Sequence, residues 1–238
     1  MLKPVVLRLS VLAALSGCIS LDYSDLKPGT FSGSLFVMWV GEGSASSGDG
    51  RFVFVPDPKD PLTFRRSDSG APGAVIRPGL MYTDGGSIPK VAQMFKGLSP
   101  WGYAPAYMIH DWLFTAHHCI LDGEDDARFD DVRHVTFRDS AVVLGEAIRG
   151  LVEAGSVRRD DIAGSAITAA VNSAVAKNLW DIRGACVRNK VSADHVAAVE
   201  AAIPGSSTLS MGRAFKLPPS TQRIAPRERA SIVSRTTF

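Results

Sequence analysis

The chain lacks most of the short signatures that would assign a chemistry outright. It has no glycine-rich phosphate loop, no cysteine cluster at zinc spacing and no Gly-x-Ser-x-Gly elbow. Those absences set aside P-loop nucleotide hydrolysis, structural zinc modules and nucleophile-elbow serine hydrolysis. An excess of one charge sign is also missing. The formal net charge is +2, which predicts no bulk attraction to nucleic acid. Cysteine is scarce, with three in 238 residues. The apolar run Val5 to Leu15 is too short to span a bilayer permanently.

What is present is an ordinary globular composition, long enough for one large domain or two small ones. Its charge is unevenly placed. From Pro204 to Phe238 six basic residues (Arg213, Lys216, Arg223, Arg227, Arg229, Arg235) face only Glu228. That stretch also lacks an apolar period, so 204–238 reads as a basic disordered tail.

Residues 1–18 read as a lipoprotein-type signal peptide. Lys3 supplies a positive start, the apolar run follows, and Leu15-Ser16-Gly17-Cys18 resembles the box of bacterial lipoproteins, whose cysteine is lipidated. Arg8 interrupts the run, and a plain secretion signal or an ordinary N-terminal helix is the competing reading. Ile19, rather than Asp, after the cysteine points to the outer membrane, with the protein facing the periplasm. Residues 19–30, with Pro28-Gly29, then read as a tether between lipid anchor and domain. With Cys18 used for lipid, Cys119 and Cys186 remain. They form either one disulfide in an oxidising compartment or two buried thiols.

Residues 31–203 read as a single α+β domain, a small N-terminal antiparallel β-sheet packed on three main α-helices. Phe31 to Val40 and Arg51 to Pro56 have strand composition, with a Gly/Ser loop between them. Leu62 to Arg66 and Ala74 to Arg77 are shorter strand candidates. After Ser87 the apolar spacing turns helical. It predicts helices over Pro89–Gly97, Ala104–His118, Asp130–Ala154, Asp160–Lys190 and Ser192–Ala202.

The most informative residues are His110-Asp111, inside the apolar stretch Ala-Tyr-Met-Ile-His-Asp-Trp-Leu-Phe. A charge carried into a core is expensive unless it is paired or used. A histidine can take a proton from water near neutral pH, and an adjacent carboxylate can hold a hard cation. The bland alternative is a buried histidine that orients a neighbouring loop, with Asp111 paired to an arginine. His117 shares a helix face with His110 but lies about 10 Å along the axis, so the His117-His118 pair reads as packed or solvated. The acidic run Leu121 to Asp126 lacks the alternating ligands of an EF-hand loop and reads as a solvated loop.

Three segments together carry a resemblance: Tyr82-Thr83-Asp84-Gly85-Gly86-Ser87-Ile88-Pro89, His110-Asp111-Trp112-Leu113-Phe114, and Arg138-Asp139-Ser140-Ala141. They resemble a phage and prophage domain family of unknown function, with a Thr-Asp-x-x-Ser-Ile-Pro loop followed by His-Asp-x-Leu-Tyr/Phe. More distantly, the His-Asp helix followed by a helix bearing Asp139 is similar to the paired helices of secreted phospholipase A2. That second resemblance implies His110 as general base, Asp139 as its orienting group, and Asp111 with Asp84, Gly85 and Gly86 around a calcium ion. The chain departs from it in lacking the usual disulfide set and the dense glycine loop. Asp84 also fits a plain turn and Ser87 a helix cap.

Two functions follow from this reading. One is a metal-assisted hydrolase of phage or prophage origin, acting on lipid or another envelope ester or amide. The other is a non-catalytic envelope lipoprotein, serving superinfection exclusion or lysis, in which the same residues are a structural lock and the surface binds a partner. Either way the expected contacts are the membrane, through lipidated Cys18, and an envelope component, with no specific nucleic acid.

Overall fold

A computed structural model describes residues 21–41, 51–83, 102–157, 168, 171–210 and 229–238. Cys18, the Asp84–Gly86 loop and the expected helix at Pro89–Gly97 lie outside them, as does most of 158–170. The described residues form a mixed α+β fold with two antiparallel sheets. One sheet has the order β1-β4-β5, from Thr30–Ser32, Thr63–Arg65 and Val75–Ile76. The other has the order β6-β3-β2-β7, from Met81–Thr83, Arg51–Pro56, Ser34–Gly41 and Arg229–Thr237.

β2 is buried along its whole length, which explains why its sequence, SLFVMWVG, does not alternate cleanly between apolar and polar. Leu35 and Val37 enter a core shared with the helices α1 (Ala104–Leu121) and α2 (Phe137–Glu153). Phe36, Met38 and Val40 face the opposite way, onto Val196, Val199 and Ile203 in and just after α5 (Ala193–Ala202). The four-stranded sheet is thus covered on both faces. The long helix expected over Asp130–Ala154 is divided into a 3-10 turn, Ala127–Val132, and α2. From Ala174 to Lys190, the region expected to continue one helix contains α3 (Ala174–Trp180) and α4 (Cys186–Asn189). Between them Gly184 takes φ +72°, a left-handed conformation that interrupts a helix.

Two segments expected to be loose are fixed. The proposed tether is not free from residue 22 onwards, because it lies along α2. Leu26 fills the space left by the missing side chain of Gly145, and Gly29 N–H donates to the Glu146 carbonyl at 3.0 Å. Arg149 donates to the Ser24 carbonyl at 2.8 Å. The expected disordered tail is likewise corrected at its end. β7 pairs antiparallel with β2 from Ser34↔Thr237 to Gly41↔Arg229, and Phe238 stacks on Phe31 with ring centroids 4.8 Å apart. Ser, Ile, Val and Thr suit this strand, and β2 offers it a row of unpaired backbone groups. Arg229 and Arg235 gave the segment its solvated look.

Cys119 and Cys186 form a disulfide that ties α1 to α4 across 67 residues. It closes a long loop, and removing a link of this kind typically costs about 2–4 kcal/mol.

Candidate functional site

His110 and Asp111 sit in the middle of α1, where the surrounding apolar residues bury the helix on nearly every side. The His110 side chain is 9 % exposed and Asp111 17 %. Nδ1 of His110 lies 3.8 Å from Asp111 Oδ1, too far for a hydrogen bond. The ring packs against Phe114, centroid to centroid 4.9 Å. Nε2 of His110 is buried and has no hydrogen-bond partner. The indole nitrogens of Trp39 and Trp112 share that condition, so an orphaned polar atom is not unique to His110. His117 Nε2 is likewise buried without a partner, so what sets His110 apart is the Asp111 carboxylate on the other side of its ring.

Asp111 Oδ2 accepts a hydrogen bond from the Thr83 hydroxyl at 3.4 Å. Thr83 ends β6 and immediately precedes Asp84. The fold therefore joins the start of the Thr-Asp-Gly-Gly-Ser-Ile-Pro segment to the His-Asp helix.

Asp139 does not join them. It makes no hydrogen bond to His110, and its orienting role is withdrawn. Its Oδ2 accepts from the Thr136 amide at 3.0 Å and the Thr136 hydroxyl at 2.6 Å, while its own amide donates to Thr136 Oγ1 at 3.2 Å. This is a reciprocal cap on the first turn of α2. Arg66 lies 3.9 Å from the other carboxylate oxygen. The spacing Thr-x-x-Asp ahead of an apolar run carried that signal in the sequence.

Calcium takes six to eight oxygen ligands. Of the expected set only Asp111 is among the described residues. The group there with metal-ligand spacing is Cys119, Glu124 and Cys186, and it does not suit a cation. Both sulfurs are in the disulfide and Glu124 is paired with Lys190. No step is therefore derived through a metal.

Two polar arrangements escaped the sequence reading. The first is a buried ion pair, Arg66 Nε to Glu146 Oε2 at 2.9 Å, with side chains 5 % and 6 % exposed. Ser67 adds a second contact to Glu146, and the Pro72 carbonyl accepts from Arg66 at 2.8 Å. Removing one partner of such a pair typically costs about 3–5 kcal/mol, because the other charge stays buried. The second is His118, whose Nε2 faces the Leu179 carbonyl at 2.9 Å and whose Nδ1 faces Asn189 Nδ2 at 3.2 Å. A carbonyl only accepts, so the proton is on Nε2 and Nδ1 accepts from the amide. Beside it His117 stacks on Trp180 with centroids 3.9 Å apart. Burial first, then the neighbouring His118 and Lys177, push the His117 pKa down to about 4 against the opposing pull of Asp181.

The acidic run 121–126 is an exposed loop, as expected, whose carboxylates also make specific ties. Asp122 accepts from the Gly184 and Cys186 amides at 2.7 and 3.0 Å, and those bonds lower its pKa. Asp125 pairs with Arg133, and Asp126 caps the following turn while pairing with Arg128.

No family model matches this chain, and neither a curated protein nor a solved structure matches it. The functional reading rests on its own residues.

Proposed function

We propose that the protein is a hydrolase of phage or prophage origin, lipid-anchored in the cell envelope, with His110 as general base. The observation that carries this reading is the bare, buried Nε2 of His110 with the Asp111 carboxylate behind Nδ1. In the proposed reaction Nε2 takes a proton from water as the oxygen attacks an ester or amide carbonyl carbon. The resulting imidazolium returns the proton to the leaving alcohol or amine as the acyl bond breaks. Because Nε2 is buried, the reaction requires the covering chain to open. The disulfide supports an oxidising compartment, in agreement with an exported protein.

A second reading has its own observation. Asp139 and Arg66, with Glu146, are held in a structural network beside the helix pair. A non-catalytic envelope lipoprotein, acting in superinfection exclusion or lysis, needs nothing more from these residues.

Turnover separates the two. The full chain and His110→Gln would be assayed on p-nitrophenyl esters, an anilide series and phosphatidylglycerol vesicles. A catalytic His110 predicts hydrolysis that falls about 10²-fold or more in the variant, the usual scale for a lost acid–base group, with the unfolding temperature little changed. Absence of turnover on every probe, or a variant as active as the parent, would favour the lipoprotein alone.

A further inference from the structure

The clearest unassigned surface is on α3 and α4. Val175 and Leu179, spaced i and i+4 on α3, and Ile182, in the turn that follows, are 70 %, 47 % and 37 % exposed. Val187, on α4, is 78 % exposed. Apolar residues at this spacing normally face a core, yet here the buried side is taken by Trp180, which packs on Phe114 and His117. The opposite side is left outward. The cations nearby are Lys177, paired with Asp181, and Arg183 and Arg188, both exposed and neither in an ion pair among the described residues. The Asp122 carboxylate feels the charge of Arg183 but spends its oxygens on the Gly184 and Cys186 amides.

We infer that this surface docks on an anionic phospholipid bilayer, with Val175, Leu179, Ile182 and Val187 entering the interface and Arg183 and Arg188 meeting the headgroups. Apolar side chains beside exposed guanidinium groups have the chemistry of an interfacial anchor, which draws on apolar burial and on attraction to anionic lipid together. The chain length bears on a lipid on Cys18 and not on which face of the body meets the bilayer. The described body begins at Leu21 and is fastened to α2 from Tyr23 onward. Two residues, Ile19 and Ser20, separate Cys18 from Leu21, three steps that reach at most about 11 Å. A lipid on Cys18 would thus hold the body against the bilayer rather than on a long leash. The docking surface does not depend on the hydrolase reading, and it can be tested with or without the lipid.

Trypsin reads the surface directly, because Arg183 is a cleavage site in the exposed turn between α3 and α4. Full-length protein and full-length Cys18→Ser would be digested alone, with phosphatidylglycerol vesicles and with phosphatidylcholine vesicles, and cleavage rates would be followed by mass spectrometry. Cuts after Lys59 and Arg133 provide the internal reference. Docking predicts that phosphatidylglycerol slows cleavage after Arg183 at least tenfold relative to the reference sites, that phosphatidylcholine slows it much less, and that Leu179→Ser/Val187→Ser removes the protection. Cleavage after Arg183 unchanged by either vesicle overturns the inference. So does protection that needs no vesicle and rises with protein concentration, which would make the occupant a second copy of this chain. Failure of Cys18 to carry lipid would leave the comparison in Cys18→Ser intact.

Discussion

At the scale of single residues, neighbouring histidines on α1 have been given different states by their surroundings. His118 is satisfied at both ring nitrogens, whereas His117 is stacked on an indole and pushed down to about 4. An unfolded histidine titrates near 6.5, so between pH 6.5 and 4 the unfolded chain binds a proton that the folded one refuses. Stability from this group is therefore complete above pH 6.5, falls as pH drops through that window, and levels off below about 4. His117 is partly exposed, and solvent screening reduces the effect below the full value of the shift. Urea unfolding at pH 7.5, 5.5 and 4.5 should show a smaller acid loss in His117→Gln than in the parent. Equal slopes would mean that His117 is not held neutral. The sequence marked His110 and Asp111 because a charge among large apolar residues stands out. The Thr136-x-x-Asp139 spacing held the capping role of Asp139, but not its approach to Arg66, which comes from far along the chain.

At the scale of elements, α1, β3 and α5 were legible because their apolar spacing belongs to one face or one helix. β2 and β7 were harder. β2 is buried on both faces by elements far apart in sequence, and β7 becomes a strand only by taking the open edge of β2. The segment 22–29 was read as a tether because its own residues are polar. The reason it is fixed lies in α2, where Gly145 and Gly150 leave room for it. A Cβ at position 150 would overlap the Gly29 backbone carbonyl, which cannot rotate away as a side chain would. Gly150→Ala therefore sets about 1 kcal/mol of helix propensity against about 1–3 kcal/mol of overpacking. We expect net destabilisation of about 1 kcal/mol by chemical unfolding, with faster amide exchange at Gly29. A more stable variant would show that the segment detaches without cost.

At the scale of the molecule, the chain closes on itself. The last strand and Phe238 lie against β2 and Phe31, while the disulfide and the Asp122 bonds hold α4 to α1 and the His118–Leu179 bond holds α3. This frame carries His110 and Asp111 in its centre and leaves the α3–α4 surface facing out. The central claim is that His110 Nε2 is a bare base that the protein can expose. Diethyl pyrocarbonate modifies unprotonated, accessible imidazole nitrogen, and the exposed His134 supplies a reference in the same molecule. Time-resolved peptide mass spectrometry at pH 7.5 should find His110 carbethoxylated during the experiment, with turnover lost in step with that site and not with His134. His134 modified to completion while His110 stays untouched would contradict the account, and would make the His-Asp pair a sealed part of the core.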